Sequence, residues 1–156
     1  MNQEDAVQGQ LLSDLTDIFN KNNRLRKPLM EASFPELSLS EIESLEVIGK
    51  MENPNVTKLA DALYITRGAA SKITRKLIAK KLITSYSKSE NKKEIYFSLT
   101  SSGHKINSKH SQLHRDFLAQ DKAVFVKFDE RDLTIISNFI KAYNEHLDGL
   151  LKKSSK

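Results

Sequence analysis

Residues 55–83, NVTKLADALYITRGAASKITRKLIAKKLI, decide how this chain is read. Asn55 is a helix N-cap residue: its side-chain oxygen can accept from a first-turn N–H, and a helix follows over residues 56–63. Thr66 stands in the same relation to a second helix that begins at Arg67 and runs to about Lys81. The break between them is three residues, Tyr64, Ile65 and Thr66. Two short helices with so tight a break make a helix-turn-helix, the unit that lays its second helix in the major groove of duplex DNA.

The second helix has two unlike faces. Ala70, Ile73 and Leu77 recur at i, i+3, i+7 and form the stripe that must pack on the domain. Opposite them lie Gly68, Lys72, Arg75 and Ala79, flanked by Ser71 and Lys76. The helix carries six positive charges (Arg67, Lys72, Arg75, Lys76, Lys80 and Lys81) and no negative one. A face built for solubility alone mixes signs. A polyanion relieves the mutual repulsion of such a ridge and releases its own counterions. Gly68 removes side-chain bulk where a DNA backbone can approach.

A hairpin follows. Residues 82–86 (LITSY) and 95–99 (IYFSL) are β-branched and aromatic, with the charged tip 87–93 (SKSENKK) between them. Placed directly after a recognition helix it is a wing, whose Lys88, Lys92 and Lys93 can reach phosphates or the minor groove.

The run LADALYITRGAASKITRKLIAKKLI, the turn SENKK and the closing IYFSLTSSG resemble the winged helix of MarR-type bacterial transcription regulators. The likeness covers about residues 10–150 and is sharpest over 59–103. Two departures stand out. Where the family usually has a small residue between the two helices, this chain has Tyr64. Where the family wing carries Asp-x-Arg, this chain has Asn91-Lys92-Lys93, which keeps charge but not the guanidinium fork. The resemblance implies a repressor that acts as a homodimer on a pseudo-palindromic operator. Arg67, Ser71 and Lys72 would approach base edges, Arg75, Lys76, Lys88, Lys92 and Lys93 would hold phosphates, and Thr66 and Gly68 at the helix start complete the DNA-binding set.

Charge distribution agrees. Residues 56–98 hold ten Lys/Arg against three Asp/Glu; the rest of the chain holds fifteen against seventeen. The net charge of +5 is thus +7 in the winged segment and −2 elsewhere, the footprint of a nucleic-acid binder. With no cysteine there is no disulfide framework, thiol sensor or thiolate metal site. No apolar run approaches a membrane span, and the start MNQEDAVQGQ is polar and acidic, so a cytoplasmic protein is expected.

The chain ends read as dimerisation helices, residues 8–32 and 103–154, around a winged helix-turn-helix lobe at 41–99, all within one domain of 156 residues. Leu11, Leu15, Ile18, Asn22, Leu25 and Leu29 recur at spacings of 4, 3, 4, 3, 4, a heptad pattern with one polar member. Pro28 should kink or stop that helix, with a loop over 31–39. Ser38 to Glu41 is a capping box for the next helix, which runs to about Lys50. After Gly103 a long helix should reach about Val126. Asp129 caps the last one, which carries Leu133, Ile136, Ile140, Tyr143, Leu147 and Leu150. One monomer offers few partners for two such stripes, and a twofold dimer satisfies both. The expected fold class is therefore mainly α with a small β-hairpin wing (α+β).

Two effector readings remain. The family's commoner behaviour is DNA release on binding a small anionic or aromatic ligand, in a pocket that here would involve Phe19, Arg24, Met30 and Phe34. Alternatively, His110 and His114, at i and i+4, can share one metal from a helix face. A zinc-responsive MarR subgroup has two histidines at that spacing and a further ligand early in the second helix, where this chain has Glu43. The subgroup's acid late in the first helix is missing, the region reading Arg24-Leu25-Arg26-Lys27. No cofactor is required on either reading. An enzyme finds no support: there is no phosphate-cradling glycine loop, no His-Glu metal helix and no nucleophile elbow. A winged-helix adaptor for protein or RNA predicts aromatics on the recognition face, and the Gly68-Lys72-Arg75 stripe has none.

Overall fold

The computed structural model describes residues 3–154. Its elements are α1 (Gln3–Ser33), α2 (Leu39–Lys50), α3 (Val56–Ala62), α4 (Arg67–Ala79), β1 (Ile83–Lys88), β2 (Asn91–Leu99), α5 (Ser101–Phe125) and α6 (Glu130–Ser154). They form two compact units, Met1–Leu113 and His114–Lys156, with the boundary inside the continuous helix α5. The fold is that of a mainly helical protein with one antiparallel hairpin.

In the first unit, local chemistry sets the helix ends. The Ser38 hydroxyl accepts from Glu41 N–H at 3.3 Å and the Glu41 carboxylate accepts from Ser38 N–H at 2.7 Å, the reciprocal capping box that starts α2. Asn55 caps α3 by accepting from Lys58 N–H at 2.8 Å, and Thr66 caps α4 by accepting from Ala69 N–H at 3.2 Å. Helices α3 and α4 both close with the same backbone device. Ile65 N–H reaches Ala60 O and Tyr64 N–H reaches Asp61 O; Leu82 N–H reaches Leu77 O and Lys81 N–H reaches Ile78 O. These are Schellman closures with Tyr64 (φ 54°) and Lys81 (φ 57°) in the left-handed position that glycine favours. The residue after each turns back inward: Leu82 is in the core and Ile65 packs against it.

That core joins Leu45 and Ile48 of α2, Leu59 and Ala60 of α3, Ala70 and Leu77 of α4, and Ile83 and Phe97 of the hairpin. Phe97 N–H also bonds Pro54 O at 2.9 Å, which ties the wing to the segment before α3. At the start of α5, Thr100 donates its hydroxyl to Lys81 O at 2.8 Å and accepts from Gly103 N–H at 3.1 Å. A Cβ at Gly103 would stand 2.1 Å from Leu82 O, so only glycine lets α5 pass this close to the start of the wing.

Three expectations are corrected. Pro28 neither ends α1 nor opens a loop: the helix continues to Ser33, and the connection to α2 is residues 34–38. Proline removes one i→i−4 bond, and the bonds of the surrounding turns suffice to carry the helix past it. The recognition helix stops at Ala79, two residues short of the expected end, because its last turn closes through Lys81. The wing is longer than its apolar segments: the ladder runs out to Lys88 and Asn91, and the turn is only Ser89-Glu90.

In the second unit α5 ends at Phe125. Asp129 caps α6 by accepting from Asp132 N–H at 2.8 Å. Ile135, Ile136, Phe139, Ile140, Leu147, Leu150 and Leu151 of α6 are all exposed in the single chain, and Phe139 and Tyr143 stack with centroids 6.1 Å apart. On α1, Ile18, Phe19, Leu25 and Leu29 are likewise exposed. Among the described residues no helix is long and apolar enough to cross a membrane.

Candidate nucleic-acid interface

Burial along α4 separates its faces. Ala70, Thr74 and Leu77 are buried and Ile73 is half-buried. Arg67, Gly68, Lys72, Arg75 and Lys76 are exposed, as is the cap Thr66. Ser71 is half-buried, and its carbonyl accepts from the Thr74 hydroxyl at 3.0 Å and from Arg75 Nε at 3.3 Å. Among the described residues no acid forms an ion pair with Arg67, Lys72, Arg75 or Lys76. Unpaired ammonium and guanidinium groups on one convex face create the potential that draws a polyanion. A Cβ at Gly68 would meet nothing nearer than the Thr66 hydroxyl at 3.9 Å, so packing does not require glycine there.

Lys81 lies past the end of α4, and Lys80 leaves the ridge. Lys80 turns back to donate to Glu41 Oε1 at 2.8 Å and to Glu36 O at 2.7 Å. Glu41 is buried. Burial pushes its carboxyl up, but the Lys80 ammonium and the Ser38 N–H outweigh burial and hold the group below its ordinary value. The end of the recognition helix is thus fastened to the start of α2 by a charged pair 39 residues apart in sequence.

On the wing, Lys92 and Lys93 are exposed near the turn. Lys88 is half-buried, its ammonium 5.2 Å from the centre of the Tyr96 ring, which itself lies against Tyr86. Tyr86 donates to Asn53 Oδ1, and Asn55 Nδ2 donates to Glu94 Oε1 at 2.7 Å. These bonds hold the wing's orientation beside the helix-turn-helix.

The candidate effector residues separate. Met30 and Phe34 are buried, whereas Phe19 and Arg24 are exposed. For the metal, His110 is buried in the first unit and its Nδ1 stands 3.4 Å from Glu46 Oε2. His114 follows one turn on along α5. Glu43 is exposed and does not join them; the acid in the candidate ligand group is Glu46, one turn further along α2. The resemblance points to Glu43, and packing instead turns Glu46 toward His110.

Two tightly joined helices, an adjoining hairpin and an outward basic ridge define a winged helix-turn-helix protein of the DNA-binding kind. Residues 37–95 match the model of the MarR family. An uncharacterized HTH-type transcriptional regulator of Bacillus subtilis, YvnA, is 33% identical over 110 residues, which span 70% of each chain. The chain belongs to the MarR family and is a DNA-binding transcriptional regulator, not an enzyme. Among solved structures, Streptococcus pneumoniae FabT in complex with DNA superposes with a TM-score of 0.77 at 20% identity, over 92% of this chain and 99% of that one. Staphylococcus aureus MarR, in complex with salicylate and kanamycin, gives 0.72 at 19% identity, over 91% and 93%.

Proposed function

We propose that this regulator works in the cytoplasm as a homodimer on a pseudo-palindromic operator, represses transcription there, and leaves DNA when a small anionic or aromatic molecule binds. The observation that carries the reading is the unpaired ridge Arg67-Lys72-Arg75-Lys76 on an exposed recognition helix. Support for the dimer comes from the long apolar faces of α1 and α6, which a single chain leaves in water. Twofold pairing sets two recognition helices about 34–36 Å apart, one DNA turn, so that each meets a major groove on the same side. In this arrangement Arg67, Ser71 and Lys72 approach base edges, while Arg75, Lys76, Lys92 and Lys93 hold phosphates. Thr66 and Gly68 admit the DNA backbone to the helix start, and Lys88 adds charge from the wing's side. Selection of bound duplexes from a random pool tests this. An inverted repeat with half-sites one turn apart is the expected product. Recovery of unrelated sequences, or of none, refutes it.

The arrangement of His110 with Glu46 favours a second reading, regulation by zinc. Imidazole and carboxylate are ordinary zinc ligands, and in the first unit His110 Nδ1 lies 3.4 Å from Glu46 Oε2. Zinc bound there would fix α5 against α2 through Glu46 and His110. Calorimetry with zinc on the wild type and on His110→Ala decides it. The expected result is micromolar or tighter binding that the substitution abolishes, and no heat from the wild type ends the proposal.

A further inference from the structure

Between Asp61 and Glu90 the chain holds no aspartate, glutamate, asparagine or glutamine. That interval contains the whole of the recognition helix α4. Its exposed hydrogen-bonding side chains are Arg67, Lys72, Arg75 and Lys76, and all four are donors only. Arg67 and Lys72 meet no acid among the described residues. Arg75 gives its Nε to Ser71 O at 3.3 Å. Gly68, Ile78 and Ala79 complete the exposed face of α4 without a polar side-chain atom. The hydroxyls do not alter this balance. Thr74 is buried and gives its hydroxyl to Ser71 O at 3.0 Å, and Thr66 accepts from Ala69 N–H as the cap. The Ser71 hydroxyl suits any base. Glu41, the acid packed against the end of α4, is buried and holds Lys80.

The four bases differ in what they offer such a face. On its major-groove edge guanine has two acceptors, N7 and O6, and no donor. Adenine sets N7 beside the N6 amino donor, thymine sets O4 beside a methyl group, and cytosine has only the N4 amino donor. A carboxylate accepts from cytosine, and an amide matches the donor–acceptor pair of adenine; α4 has neither. Resting on the operator reading above, we propose that α4 reads guanine. Each half-site presents guanine N7 and O6 in the major groove to Arg67 and Lys72. The Arg67 fork spans both acceptors of one guanine, and the Lys72 ammonium engages those of another. Adenine or cytosine at these positions sets an amino group against a cation and is rejected.

The test is fluorescence anisotropy with the full-length protein and a duplex selected from a random pool. Guanines of one half-site are replaced one at a time by 7-deazaguanine, which loses N7 and keeps its base pairing. Replacement at a guanine that α4 reads should weaken binding about five- to tenfold, the worth of one charge-assisted hydrogen bond. Arg67→Ala should erase that penalty at one guanine and Lys72→Ala at the other, because each variant has already lost the contact. Inosine, which lacks only the minor-groove N2 amino group, should leave affinity within about twofold, as should 7-deazaadenine. A selected operator without guanine in its half-sites, or one indifferent to 7-deazaguanine, overturns the proposal and leaves the regulator. A loss with inosine but not with 7-deazaguanine puts guanine reading in the minor groove and overturns it as well. A penalty undiminished in both variants overturns the assignment to Arg67 and Lys72. A protein that selects no duplex removes the operator reading, and this proposal with it.

Discussion

Tyr64 and Lys81 hold left-handed backbone without being glycine, and Tyr64 is 76% exposed, so no packing of its ring compensates the strain. The left-handed region costs an L-residue roughly 1–2 kcal/mol. Hydrogen bonds to Asp61 and Ile78 carbonyls and the inward turn of Ile65 and Leu82 offset that cost. Gly68 is the converse case: a glycine in an ordinary helical conformation with open space where its Cβ would go. Packing does not call for glycine at this position, and under the proposed function close approach of a DNA backbone would. Gly68→Ala is therefore expected to raise stability by about 0.5–1 kcal/mol in thermal or urea unfolding. The same variant should weaken operator binding. A variant that is both more stable and fully active would show that the DNA backbone does not approach this position.

At the scale of elements, the Glu41–Lys80 pair joins α2 to the end of α4. The folded-state carboxyl is depressed, so its contribution to stability is present above the unfolded carboxyl value, about pH 4.3, and is lost as pH falls through the lower folded value. Stability of the wild type should decline through that acid window. Glu41→Gln should be less stable at neutral pH and should lack this part of the decline. Parallel acid profiles for the two proteins would contradict the assignment. The features legible in the sequence are local ones. Ser38, Asn55, Thr66 and Asp129 are each recognisable as caps because the partner N–H lies within three residues. The exposed face of α4 follows from the position of Ala70 and Leu77. Illegible features depend on distant partners. By sequence Lys80 reads as part of the ridge, because its partner Glu41 is 39 residues away. The hairpin reads as short, because pairing of polar residues around Lys88 and Asn91 leaves no apolar alternation. The family resemblance points to Glu43 as the acid for a metal, and only tertiary packing shows that Glu46, one turn further along α2, is the one that faces His110.

For the whole molecule, two facts point the same way. Positive charge is gathered in the winged segment, and apolar side chains lie uncovered along α1 and α6. The first gives affinity for a polyanion; the second gives a reason to pair, and pairing doubles the phosphates held on one duplex. Replacing Phe139 and Leu147 by glutamate should yield monomers in sedimentation and lose preference for an inverted repeat while keeping residual salt-sensitive binding. A dimer unaffected by both charges would place the interface elsewhere.

The most direct measurement is the salt dependence of binding to a selected palindromic duplex, with the number of protomers bound counted at saturation. Two protomers per duplex are expected. Arg75, Lys76, Lys92 and Lys93 from each would neutralise about eight phosphates, hence a slope of log affinity on log salt near −7, at about −0.9 per phosphate. Lys92→Ala should flatten that slope by nearly two units, since each protomer then neutralises one phosphate fewer. A single protomer per duplex, or a slope near zero that Lys92→Ala leaves unchanged, would contradict the account.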